Sequence, residues 1–443
     1  MLARLVPLYF TSANERENEE FIGQVIRLKE MYKDAAEFLD PVPVGQRPLQ
    51  NADAAVFPQL IGAAFRESEG LKETGLPFIV LTSKYGTVEM WDWEIVAYLR
   101  SKGLQVFSPY NTGLAKTVMR ALAVKRRLAN GAKFLMLQDS PGEGMQANIF
   151  KRFYWWEEEC TRKMEETFGI RLIYRSWKEA CERAKAVSDA AALSLSKDWN
   201  ICREGVSDAN FLRAVKIYAA VKEIIGEIGG VEGVGSNCLN ESFHSDTTPC
   251  LAWPMLFERD GVVFACEGDT LTLLSTYIIY RSLKAPVMMT NIYPFLVGMA
   301  ALAHEKIDSF PQIADPDNHA LGVHCGYFGL APRAFCTKWV MRPRVLEIVD
   351  KNAVVVDCEF PVGKATLAKI HPDFKKLIII EAEIEGYVQY PGSDCRNGAL
   401  IRYRDGHKVM ETLSSHHALI IQGNRIPELT QLAKVFGWET EIL

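Results

Sequence analysis

No Cys-x-x-Cys pair occurs among the ten cysteines, and no Cys/His spacing marks a structural zinc site. A disulfide framework belongs to short secreted domains, so reduced and mostly buried thiols are expected. Cys238, Cys250 and Cys266 each lie in apolar stretches. A basic excess is missing too. Fifty Lys and Arg against 55 Asp and Glu give a formal net charge of -5, with a pI near 6.0. That balance argues against a nucleic-acid or membrane-surface partner. There is no long block of one charge sign, no internal repeat and no low-complexity segment. The most apolar stretch, 271–303, is broken by Arg281, Lys284, Pro286 and Pro294. It cannot supply the roughly 20 uninterrupted apolar residues that span a bilayer. The amino-terminal MLARLVPLYFTS lacks a full hydrophobic region and a cleavage site. The expectation is a soluble, cytoplasmic protein.

What the chain has is apolar material: 48% of 443 residues, enough for two or three cored domains. Short β-rich runs at 5–10, 54–57, 78–82, 105–107, 134–137 and 171–174 alternate with helical patterns at 15–32, 91–101, 114–129 and 147–168. That rhythm predicts a Rossmann-like α/β domain with a parallel sheet over residues 1–175. A helical connector over 177–228 feeds a second α/β domain, placed at 176–340. Its strand signals are 233–239, 262–266 and 287–290, with helices at 250–257 and 271–283. From 341 to 443 closely spaced β runs (353–358, 376–384, 398–403, 417–421) with Pro/Gly turns predict an antiparallel β-barrel-like domain, closed by a helix at 426–436.

Ligands of parallel sheets lie beyond the carboxyl ends of the strands. In the second domain those positions are acidic. The first strand runs into Asn237-Cys238-Leu239-Asn240-Glu241, and the second ends in Cys266-Glu267-Gly268-Asp269. On an extended backbone Glu267 and Asp269, two apart, project to one side. Crowded carboxylates repel, and a divalent cation removes that cost. Hard oxygen donors with an imidazole suit Mn²⁺ or Mg²⁺ more than zinc. His416 and His417 are neighbours on a strand and point to opposite faces, so only one can serve as a ligand.

The run PCLAWPMLFERDGVVFACEGDTLTLLSTYIIYRSLKAPVMM (249–289) resembles the metal-site region of the L-fucose isomerase/L-arabinose isomerase superfamily, with its Pro-Cys-Leu opening and A-C-E-x-D strand end. The run HHALIIQGNRIPELTQLAKVFGWE resembles that family's closing segment, and His417 and Gly423 keep its six-residue spacing. The resemblance implies the same three-domain order along the whole chain. Its specific motifs are confined to 233–330 and 390–443. It also implies a metal held by two strand-end carboxylates and a late histidine, here Glu241, Asp269 and His417. Glu267 replaces Asp269 as ligand if the site follows L-arabinose isomerase. His324, in a His-Cys-Gly step, becomes a further ligand or a substrate contact, and Glu267 is a candidate for substrate binding as well.

Met289-Thr290-Asn291 departs from the pattern, which has an acid where Asn291 stands. The implied reaction interconverts an aldose and a ketose of the L-fucose or D-arabinose type through an enediol. The cofactor is Mn²⁺, or another divalent cation such as Mg²⁺ or Co²⁺, and Glu241 and Asp269 move the proton. Epimerase, lyase and oxidoisomerase chemistry on a modified sugar or sugar acid stays open, as does a non-catalytic sugar-binding relative. The family further implies a homo-oligomer, hexameric or trimer-based, whose neighbouring subunit completes the pocket with residues near Trp91 or Gly142. Gly142-Glu143-Gly144-Met145-Gln146-Ala147 has the form of a dinucleotide fingerprint, but it follows the fifth strand, and Arg175 stands where a ribose-binding acid belongs. It reads better as a loop near the active site. The aromatic runs at 91–93 and 153–156 are read as helix packing before sugar stacking.

Overall fold

The computed structural model describes residues 1–11, 14–46, 51–139, 158–294, 313–390 and 394–443. The Gly142–Ala147 pattern and the aromatic run 153–156 lie outside the described residues. Two compact units divide the chain. The first holds Met1–Arg127 with Arg281–Leu283 and Pro427–Gly437, and the second holds the remainder.

In the first unit β1 (Ala3–Tyr9), β2 (Ala36–Phe38), β3 (Val42–Pro43), β4 (Ala54–Phe57), β5 (Phe78–Val80) and β6 (Val106–Phe107) form a parallel sheet. The order is β2-β1-β4-β5-β6, with β3 paired to β1. Strands covered on both faces read as unbroken apolar runs, and all residues of β4 and β5 are buried. Val6, Leu8, Phe57, Phe78 and Val80 share one core. The helix Glu15–Met31 starts where the Asn14 side chain accepts from the Arg16 amide, with Glu15 and Glu17 in the first turn.

The second unit opens with β7 (Lys133–Leu137), β8 (Arg171–Arg175), the short β9 (Cys202–Arg203), β10 (Val231–Ser236) and β11 (Val263–Ala265). Four of these make a parallel sheet in the order β11-β10-β7-β8. Thus β7, placed with β8 by the sequence in a first domain ending at 175, pairs on one side with β10 and on the other with β8. Glycines explain how β10 fits between its neighbours. A Cβ on Gly233 would lie 2.5 Å from the Phe134 ring, and one on Gly235 would lie 2.9 Å from the Met136 methyl. Only glycine leaves room for these β7 side chains.

The remaining strands are β12 (Val287–Pro294), β13 (His319–Val323), β14 (Lys338–Pro343), β15 (Val354–Glu359), β16 (Gly363–Ile370), β17 (Lys376–Val388), β18 (Gly398–Tyr403), β19 (His417–Gln422) and β20 (Glu439–Ile442). Six of them close an antiparallel barrel, β16-β19-β12-β13-β18-β17, completed by the β16–β17 pairing. Closure satisfies both edges of every strand. β17 is long enough to pair β18 at one end and β20 at the other, with a bulge between Ile384 and Gly386. β12, expected as the third strand of the second α/β sheet, is instead a barrel strand, since both its neighbours run antiparallel to it. β14 pairs with β15 and β9 in a separate three-stranded sheet. Among the described residues no helix is long and apolar enough to cross a membrane.

Candidate functional site

The site is built where two elements of the second unit end. One is the carboxyl edge of the β10–β11 pair, and the other is the rim of the barrel. Gly235 pairs with Ala265, so two residues further on Asn237 and Glu267 leave neighbouring strands side by side. On the barrel, Asn291 of β12 pairs with His417 of β19 on one side and with Val323 of β13 on the other. That register lines up His417, Asn291 and the residue after β13, His324.

The Glu267–Asp269 step departs from the extended backbone expected from the sequence. Glu267 and Gly268 both adopt left-handed backbone, at φ of +57° and +69°. For a glutamate this is an uncommon conformation that surrounding structure must hold in place. Its effect is to send the two carboxylates to different tasks. Asp269 becomes the N-cap of the helix Thr270–Leu283: its Oδ1 accepts from the Thr272 amide at 2.7 Å, and its Oδ2 from the Thr272 hydroxyl at 2.7 Å. The same Oδ2 meets His417 Nδ1 at 2.8 Å and the Lys369 ammonium at 3.4 Å. Glu267 instead stands between two imidazoles. Its Oε1 is 3.4 Å from His324 Nδ1, and its Oε2 is 3.4 Å from His417 Nε2.

His417 therefore bridges the two acids, one through each ring nitrogen. All five groups of the cluster, Glu267, Asp269, His324, His417 and Lys369, are buried. Burial opposes ionisation of Glu267, but the hydrogen bond and charge of His417, with His324 and His416, outweigh it and bring the carboxyl down to about 2. Asp269 is also lowered: burial works against it, while Lys369 and His417 overcome that. Burial pulls His417 down, yet its two carboxylate partners leave it raised. His324 is lowered by burial. Burial takes His416, stacked edge-on against His417 at 4.6 Å, down to about 3. Lys369 is lowered by burial despite Asp269. Among the buried polar atoms here, His324 Nδ1 and Asn291 Oδ1 make no hydrogen bond. In a buried site each such atom is costly unless something else meets it.

The structure thus brings Glu267, Asp269, His324 and His417 together. Glu241 is also buried, but its carboxylate accepts the Asp139 amide at 2.9 and 3.1 Å and the Asn237 side-chain amide at 3.2 Å. Among the described residues it groups with Asp139 and His244, whereas Glu267 groups with His324 and Cys325. Lys369, Thr272 and Asn237 are further members of the site's surroundings, beyond the residues expected from the sequence. Lys369 had a signal, as a lone lysine in the apolar run Ala365–Ile370, fully buried in β16. Thr272 had another, because Asp269-Thr270-Leu271-Thr272 opens the helical pattern in the manner of an N-cap.

A divalent cation fits this donor set. One carboxylate lies 3.4 Å from a nitrogen of each of two imidazoles, the His324 nitrogen lacks a hydrogen bond, and His417 is fixed through its far nitrogen by a carboxylate, the usual second partner of a metal-bound histidine.

Fold and site together define a multidomain α/β protein, with parallel-sheet regions and a closed barrel, that carries a buried carboxylate–imidazole site. No protein-family model matches the chain, and no curated protein sequence matches it. Among solved structures, it is matched to an ABC transporter solute-binding protein from Burkholderia multivorans. Identity is 13%, over 63% of this chain and 93% of that one, at a TM-score of 0.15. Neither fold nor function follows from a likeness at that level.

Proposed function

We propose that the protein is a divalent-metal-dependent aldose–ketose isomerase acting on a monosaccharide, of the kind the L-fucose/L-arabinose isomerase resemblance implies. That proposal includes the superfamily's layout of Rossmann-like domain, second α/β domain and carboxyl-terminal barrel. The observation that carries it is the Glu267 carboxylate held 3.4 Å from both His324 Nδ1 and His417 Nε2, with Asp269 anchoring the far side of His417.

In this reading Glu267, His324 and His417 hold the metal. The bound cation supplies Lewis-acid stabilisation of negative charge developing on the substrate's oxygens. Asp269 positions His417 and fixes its tautomer. Asn291 offers its amide oxygen to a substrate hydroxyl. Glu241, past the end of the strand beside Glu267, is the carboxylate assigned to proton transfer between the two carbons. Burial of the cluster excludes water from a reaction in which an enediol must not leak its proton.

A homo-oligomer is part of the proposal. Support comes from large apolar side chains the first unit leaves exposed, among them Trp91, Tyr85 and Tyr110 at 72%, 67% and 80%. Light scattering is expected to give a multiple of the chain mass. A stable, active monomer would reject this part.

The decisive test is metal content and turnover on a panel of aldoses and ketoses, before and after chelation. Activity is expected to vanish on chelation and return when divalent metal is restored. Bound metal with no aldose–ketose conversion would sink the isomerase assignment. In that event a metal-dependent epimerase, lyase or oxidoisomerase gains weight. The observation favouring that second reading is Asn291 at the position where the family pattern has an acid, and product analysis separates the two.

A further inference from the structure

Beside Glu267 and His324 stands a sulfur that the isomerase reading does not use. Cys325 follows His324 in a tight turn closed by backbone pairing of His324 with Tyr327. Cys325 and Gly326 both take left-handed backbone there, at φ of +54° and +91°. Glu267, His324 and Cys325 each offer one donor atom, and the three atoms lie within 4.8 Å of one another. Cys325 Sγ is 4.0 Å from His324 Nε2. His324 is 5% exposed, and its Nδ1 makes no hydrogen bond. The sulfur therefore sits beside a buried imidazole whose Nδ1 faces Glu267 at 3.4 Å without a hydrogen bond.

We propose that Cys325 is a further protein ligand of the metal, bound as thiolate. The site would then take a borderline-soft divalent ion such as Zn²⁺, Co²⁺ or Fe²⁺ in preference to Mg²⁺ or Mn²⁺. The inference rests on the metal-dependent reading above and deepens it.

Charge balance supports it. Asp269 and Lys369 compensate each other, and neutral imidazoles add no charge. Glu267 and a Cys325 thiolate then bring two negative charges to meet a dication, which matters where burial makes any residual charge expensive. Donor type points the same way, since thiolate and imidazole favour zinc and its neighbours, and carboxylate and water favour magnesium and manganese. Loading breaks the Cys325 S–H bond, forms a sulfur–metal bond and releases the proton to solvent.

Cys238, Cys250 and Cys266 share with Cys325 the wall of a cavity of about 20 Å³, room for one water-sized occupant. Among the described residues no three cysteine sulfurs come within 4.8 Å of one another. A compact cage of cysteines is therefore not what the geometry offers. Cys325 is set apart by its carboxylate and imidazole neighbours.

The test is a Co²⁺ titration of the full-length protein after chelation, followed by absorption spectroscopy. Native protein should show visible d–d bands together with a near-ultraviolet sulfur-to-cobalt charge-transfer band. Cys325→Ser should keep the d–d bands and lose the charge-transfer band, while Cys250→Ser keeps both. Cys325→Ser should also weaken Zn²⁺ binding by about tenfold or more and leave Mn²⁺ binding nearly unchanged. If the serine variant does not fold, X-ray absorption of the native Zn²⁺ form decides, with a sulfur shell expected near about 2.3 Å. Bands without a sulfur signature in native protein, or a sulfur signature that survives Cys325→Ser, would overturn the assignment and leave the metal-dependent reading standing. Absence of any d–d band would bring down both.

Discussion

Glu267→Gln is expected to strip the protein of its metal and abolish turnover while leaving the fold in place. Glutamine preserves the shape of the side chain but removes the one charge that both imidazoles face at 3.4 Å. A neutral amide oxygen is a poor ligand for a dication inside a buried site. Metal affinity should fall by about 100-fold or more, the upper end of what even indirect partners of a metal contribute. Losing several kcal/mol of transition-state stabilisation corresponds to a fall in turnover of about 10³-fold or more. The fold is spared for a specific reason. His324 is already held toward its neutral form by burial, so removing the carboxylate strands no charge on it. His417 keeps its 2.8 Å contact with Asp269. Metal analysis after dialysis, sugar turnover and circular dichroism together make the measurement. A Glu267→Gln protein that retained stoichiometric metal and full turnover would show that the ligand set lies elsewhere.

Much of this was legible in the sequence because it is written locally. The strands β1, β4, β5 and β7 announce themselves as apolar runs, and the helix Thr270–Leu283 by its period and its capping aspartate. His417 and the Glu267/Asp269 pair stand out as polar groups at the ends of apolar strands. What could not be read is pairing. Nothing in 133–137 says that its neighbour is 231–236, and nothing in 287–294 separates a barrel strand from one more parallel strand. Both are non-local choices that appear only when edges find partners. The roles of Glu267 and Asp269 turned on one backbone feature. Two consecutive left-handed residues reverse the side-by-side projection that period-2 reasoning gives. Gly268 hinted at such a turn, but the left-handed Glu267 had no signal in its residue type. Lys369 was lost for a related reason: its strand is not among the β runs read from the sequence, and a lysine reads as solvent-facing until its partner, a hundred residues away in Asp269, is known.

That buried pair gives the second large effect. Asp269→Asn is expected to destabilise the protein by about 3–5 kcal/mol, the cost of leaving one member of a buried ion pair without its counter-charge. Asparagine caps helices as well as aspartate does, so the cap to the Thr272 amide survives, and the loss comes from the charge and from the Oδ2 contacts with the Thr272 hydroxyl, His417 and Lys369. Lys369 is fully buried, and burial already holds its ammonium below the ordinary lysine range while Asp269 pulls the other way. With the carboxylate gone, burial acts unopposed and depresses Lys369 further. A lysine whose folded-state pKa lies below its unfolded value binds fewer protons folded than unfolded between the two values. Stability of Asp269→Asn should therefore rise as pH climbs through that window toward the ordinary lysine pKa. The native protein should show a smaller rise in the same range. Lys369→Met added to Asp269→Asn removes the stranded ammonium and should recover most of the stability. Turnover should stay low, because His417 Nδ1 then faces an amide and its ring is no longer fixed by a carboxylate. Denaturant melts across pH, read beside turnover of the double variant, separate these two jobs. If Asp269→Asn were as stable as native protein at neutral pH, the Asp269–Lys369 pair would carry no net weight in the fold. If the double variant regained full turnover, Asp269 would have no part in positioning His417.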